Sequence, residues 1–176
     1  MKNSSNGFSE TSSSSENVPT EKYLTFYLEN QLFAFKSANV VEIIRFQPIT
    51  FVPKLPAFIK GVINLRGKIV TLIDLRLKLG KPSAEYSDQT SIIVSESGPF
   101  TVGFIVDKVN DVSDISESQV SESPKLARDS GNRCVSGIAN LGSHVALVLD
   151  VPQLLDETGS GIGSAEAAPE NGATEP

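Results

Sequence analysis

Chemistry-bearing residues are scarce in this 176-residue chain. It has one cysteine (Cys134), one histidine (His144), one methionine and no tryptophan. A single cysteine cannot close an intrachain disulfide, which suits a reducing compartment. One buried-type thiol with no base beside it in sequence reads as a small apolar filler. The Cys/His spacing that holds a metal is missing. His144 has no nucleophile or orienting acid nearby, so it reads as a turn residue rather than a general base. No Walker loop, kinase motif or GxSxG elbow occurs. "GSGIGS" (159–164) has neither the strand before it nor the helix after it that a phosphate loop needs. With no tryptophan and only three tyrosines, a platform for stacking bases or sugars is not expected. These absences point to a non-enzyme without cofactor or metal.

Long apolar runs are absent too. None approaches the ~18 residues of a membrane span, and the N-terminus lacks a basic-then-apolar leader. The expectation is therefore a cytoplasmic protein without direct membrane insertion. A net charge of −6 argues against nucleic acid as partner. Residues 1–21 and 158–176 are poor in apolar side chains and rich in Ser, Gly, Glu and Ala; they read as disordered tails. The body, 22–157, is long enough for one hydrophobic core. Its charge is uneven. Residues 22–82 hold ten Lys/Arg against three Asp/Glu, and residues 83–157 hold four against twelve.

What is present is a repeat. "GVINLRGKIVTLIDL" (61–75) returns as "GIANLGSHVALVLDV" (137–151), at an offset of 76 residues. Gly61, Asn64, Leu65, Asp74 and Leu79 fall on Gly137, Asn140, Leu141, Asp150 and Leu155. A second echo, offset by 69, sets "AFKSANVVEI" (34–43) against "GFIVDKVNDV" (103–112). Two echoes in one order predict two related units, roughly 22–82 and 83–157 and interwoven. Each reads as strands: hairpins around Glu29-Asn30 and Ser97-Gly98-Pro99, then a helical turn or bend, then a Gly-started hairpin. Prolines 48, 53 and 56 exclude a central strand between; Pro53 to Pro56 spells PxxP and reads as a connection rather than an SH3 ligand. Pro152 opens a closing helical turn. Four or five short strands per unit bury their faces best by curling into small barrels. The predicted fold is mostly all-β: two five-stranded barrels packed around a shared apolar interface. Asp74 and Asp150, recurring at equivalent strand ends, are expected to cap turns or helix starts. Gly67 suits a tight reversal that needs positive φ. Arg66 is not required for that hairpin, because its copy has Gly142.

The stretch "LPAFIKGVINLRGKIVTLIDLRLKLG" strongly resembles the central motif of CheW-type chemotaxis coupling proteins. "FTVGFIVDKVNDV" and "SGIANLGSHVALVLDVPQLL" look like later blocks of that family, in order, over 22–157. The sequence departs at Thr71, where the family often has proline, and around "QVSESPKL". The resemblance implies a cytoplasmic adaptor of two SH3-like barrels. It would link the cytoplasmic tip of a chemoreceptor to the regulatory domain of the histidine kinase CheA, with homologous contacts alternating head to tail in rings. It also implies a receptor-contact role for Glu42, and Arg66 as a charged anchor able to pair with it. With Lys60, and with Val40, Ile43, Ile69 and Val102 as apolar contacts, these form the expected receptor-binding set. The kinase-binding residues are not specified. The basic first half and acidic second half would orient such contacts. Two rival readings are a coupling protein of an array serving pili or development, and a self-assembling structural β-protein without kinase.

Overall fold

Nearly continuous apolar runs on either side of Glu29-Asn30, buried on both faces, form the first hairpin, β1 (Thr20–Leu28) and β2 (Gln31–Lys36). The molecule is seen here in a computed structural model that describes residues 18–123 and 133–156. A 3-10 turn (Ser37–Asn39) leads to β3 (Val40–Arg45), and an irregular, proline-containing connection leads on to β4 (Ile59–Leu65) and β5 (Lys68–Asp74). A short helix, α1 (Leu75–Lys78), precedes the hairpin of β6 (Ser91–Ser97) and β7 (Phe100–Val106). Then come β8 (Lys108–Ser116), β9 (Val120–Glu122), β10 (Val135–Asn140), β11 (Val145–Leu149) and α2 (Val151–Asp156). β1 starts inside the expected tail, at Thr20. The stretch 159–164 and the tail from 158 lie outside the described residues.

The strands form two sheets. The first runs β8-β1-β2-β11-β10-β9 and the second β3-β6-β7-β5-β4. The fold is thus mostly β and two-part, in SH3-like subdomains. The two echoes persist in register. Val40 faces Ser95 as Val109 faces Phe26, and Glu42 faces Val94 as Asp111 faces Thr25. Gly61 faces Leu72 as Gly137 faces Val148. Thr71 lies parallel to Val102 as Leu147 lies parallel to Phe33.

Sheet membership does not follow the 82/83 bounds but runs across both repeats. The first sheet combines β1 and β2 with β8–β11, and the second holds β3–β7. Each repeat therefore lends its opening hairpin to the other repeat's sheet. The segments read as a helical turn or bend are largely strands, β3 and β8, and these make the crossing. The exchange also softens the charge contrast. Residues 40–106 hold eight Lys/Arg against five Asp/Glu, while the other described residues hold four against nine.

One apolar cluster is built from both sheets, with Phe26, Phe35 and Leu149 meeting Ile73, Ile93 and Phe104. The Phe35 and Phe104 rings lie 5.2 Å apart between centroids. Each sheet has a smaller cluster of its own, around Ala34 and Val148 in the first and Leu72 and Ile92 in the second. The two recurring aspartates do cap. Asp74 Oδ1 accepts from the Leu77 amide (3.3 Å), and Asp150 Oδ1 from that of Gln153 (3.0 Å). Asp74, itself buried, also accepts from the Tyr86 hydroxyl at 2.8 Å. Burial, and then that hydrogen bond, pushes the Tyr86 hydroxyl well above the usual tyrosine range.

Candidate functional site

The β4–β5 turn places Arg66 at φ 50° and Gly67 at φ 85°. Two successive left-handed residues make the tight reversal whose twist matches a hairpin. Asn64 Oδ1 accepts the Gly67 amide at 2.8 Å, as Asn140 accepts that of Gly142 at 3.0 Å, which explains the recurring asparagine. Arg66 does not point into water alone. Its two terminal nitrogens donate to Glu42 Oε1 and Oε2 at 2.9 and 2.7 Å, a forked pair. Glu42 is on β3, and Arg66 follows β4. The pair thus ties together the two outer strands of the second sheet.

Beneath it lies a groove of about 250 Å³. Leu65, Val70 and Val94 supply apolar lining, and Val41 adds an exposed apolar surface. A second exposed pair lies along it, Lys68 to Glu96 at 3.3 Å, with the Thr101 hydroxyl donating to Glu96 at 3.5 Å. The Arg66 side chain is 75% exposed and that of Glu42 23%. An ion pair so wetted contributes about 0–1 kcal/mol. It orients a fork of donors over an apolar floor.

The expected residues separate into groups. Glu42 and Arg66 meet as anticipated. Ile43 and Ile69 are exposed, at 43% and 61%, but do not line the groove. Val40 is half-buried against the shared core, and Lys60 is half-buried on β4. Val102 is withdrawn from the contact set: it is fully buried in the shared cluster and has no surface to offer. The groove residues that sequence missed are Val41, Leu65, Lys68, Val70, Val94, Glu96 and Thr101. Only the sheet order brings these together. Among the described residues no group of His, Cys, Asp and Glu is placed to hold a metal, and no helix is long and apolar enough to cross a membrane.

A β protein of two subdomains that exchange their opening hairpins, with an apolar groove under a charged fork on one, is the class this geometry defines. Comparison with known proteins makes that specific. Residues 22–159 match the family model described as CheW-like domain. The chain is 34% identical to the chemotaxis protein CheW of Klebsiella aerogenes, over 77% of this chain and 81% of that one. It is 32% identical to CheW of Bacillus subtilis, over 80% and 90%. It is also similar to the crystal structure of the scaffolding protein TtCheW from Thermoanaerobacter tengcongensis, with a TM-score of 0.70 and 30% identity over 77% of this chain and 92% of that one. The chain belongs to the CheW family of chemotaxis scaffolding proteins.

Proposed function

We propose that this chain is a non-catalytic cytoplasmic coupling scaffold that holds a chemoreceptor cytoplasmic tip and the histidine kinase CheA in fixed geometry. Its receptor side is the groove under Arg66 and Glu42. The observation that carries this is conformational. The second hairpin fills the left-handed position with Gly142 at φ 84°, while the first keeps an arginine there. A strained residue held where glycine would be comfortable, and aimed over an apolar groove, supports a contact role. Val41 joins Glu42 and Arg66 in this reading, and Ile43 and Ile69 extend the apolar surface outside the groove. Homologous contacts in rings would use the residual charge contrast between the sheets. A salt-sensitive self-assembling scaffold is the second reading, favoured by the same contrast.

The test is titration of a chemoreceptor cytoplasmic fragment and of CheA against the parent protein and Arg66→Ala. The variant is expected to lose about tenfold in receptor affinity, the scale of one interface anchor, while CheA binding stays. Unchanged receptor binding removes the groove from the receptor site. Sedimentation at low and high salt separates the second reading, since homopolymers that dissolve in salt favour it.

A further inference from the structure

Glu29 is a second charged residue in a left-handed turn. It has φ 57°, and its equivalent 69 residues later is Gly98, at φ 59°. As at Arg66, one copy of the repeat has the comfortable glycine and the other keeps a charge. Here the charge lies where the two sheets join. Glu29 belongs to the β1–β2 turn of the first sheet. Arg76 stands on α1, directly after β5 of the second. Asp107 is the residue by which the chain leaves β7 for β8, crossing from one sheet to the other.

These three are linked. Arg76 Nε donates to Asp107 Oδ1 at 2.7 Å, and a second guanidinium nitrogen donates to Oδ2. Asp107 Oδ2 also accepts the Glu29 amide at 2.6 Å, and the Asp107 amide donates to the Tyr27 carbonyl at 3.2 Å. Arg76 lies 3.5 Å from Glu29 Oε1, and Lys81 lies 3.3 Å from Oε2. The Arg76 side chain is only 16% exposed, so its partners cannot be replaced freely by water. Beside the network a cleft of about 400 Å³ opens, lined from one side by Tyr27 and Asn30 and from the other by Glu85, Ser87 and Gln89. At this edge, polar contacts replace apolar packing between the sheets. In the other copy, Ala38, Gly98 and Pro152 stand at the positions of Asp107, Glu29 and Arg76, and none is charged.

We propose that the Glu29–Arg76–Asp107 network is a one-sided joint that fixes the angle between the two sheets, and that Arg76 is the positioning residue through which a partner on one sheet is coupled to a partner on the other. The coupling half rests on the function proposed above; the joint itself does not. Uncoupling the sheets leaves each surface intact and loses their relation. A residue that only stabilises the fold would lower stability without that signature.

The experiment places nitroxide labels at two exposed positions, Phe100→Cys on β7 and Val145→Cys on β11, leaving buried Cys134 in place. Inter-label distances are read by pulsed electron resonance on the free protein. Arg76→Met and Glu29→Gly are each expected to broaden the distance distribution. Glu29→Gly, which relieves the left-handed turn, is expected to melt at the parent temperature or above it, so that broadening occurs without loss of stability. Receptor and kinase binding, measured singly, stay within about twofold. Receptor-dependent kinase activation falls by about fivefold or more. An unchanged distribution in Glu29→Gly, or in a folded Arg76→Met, overturns the joint. Broadening with undiminished activation overturns the coupling and keeps the joint. If the parent itself binds no receptor fragment, the proposed function falls, and the distances on free protein still decide the joint.

Discussion

Arg66 combines two opposing contributions. Its left-handed backbone costs on the order of 1 kcal/mol relative to glycine, and its exposed fork to Glu42 returns no more than about that much. Arg66→Gly is therefore expected to leave stability unchanged or to raise it by up to about 1 kcal/mol, while receptor-fragment affinity falls about tenfold. Denaturant melts and a binding titration on one preparation check both. A loss of stability would mean that the pair's main task is to close the sheet. That glycine can fill the turn position of Arg66 was legible in the repeat, because Gly142 stands there in the second hairpin. The left-handed conformations of Arg66 and Glu29 were not legible, since neither residue type announces positive φ. Val102 was misjudged because an aliphatic strand residue in a chain of this size reads equally as core or contact.

The paired hairpins behave as two versions of one element with different tolerances. Both have a glycine as the third residue of their first strand because another stretch of backbone crosses there. A Cβ on Gly61 would sit 2.1 Å from the Thr50 carbonyl oxygen, at φ 140°; one on Gly137 would sit 3.0 Å from that of Ser121. Thr50 is held in place by reciprocal 2.9 Å backbone hydrogen bonds with Val62, so it cannot simply withdraw. Gly61→Ala is expected to cost about 3 kcal/mol or more and Gly137→Ala about 1 kcal/mol, measured as shifts in urea midpoint. The opposite ranking would show that the Thr50 crossing yields easily. At this scale much was readable: hairpin positions, the capping aspartates and the closing helix all follow from pattern and recurrence. β3 and β8 were not. On β8 a bulge opposite Thr25 and Phe26 breaks the period-two alternation that marks a strand. On β3 burial does alternate, but apolar Val41 and Ile43 take the exposed side and Glu42 the half-buried one, so the residue types hide the period.

Across the whole molecule, the shared core makes the two sheets one folding unit. Residues 37–107 carry all five strands of the second sheet. Cut out, they would expose Ile73, Leu75, Ile93, Val102, Phe104 and Val106, which are buried together with residues of the first sheet. That fragment is expected to lack a cooperative thermal transition, while the full chain unfolds in one step; scanning calorimetry on both checks it. A sharp melt from the isolated fragment would show that the second sheet is self-sufficient. The exchange of hairpins is also where sequence reading reaches its limit. Because the two repeats share their patterns, recurrence shows that β1–β2 and β6–β7 are equivalent but not which partner each joins. The groove, which needs β3, β4, β5, β6 and β7 in one sheet, stayed hidden for the same reason.

The exchange sets a timetable for synthesis. The β1–β2 hairpin must wait for β8 and β11, more than seventy residues later, before both of its edges are paired. The middle of the chain can pair its own strands in the meantime. Until β11 has emerged, Phe26, Phe33 and Phe35 are exposed on a nascent ribbon with free edges, the state in which chaperones and wrongly chosen neighbours compete.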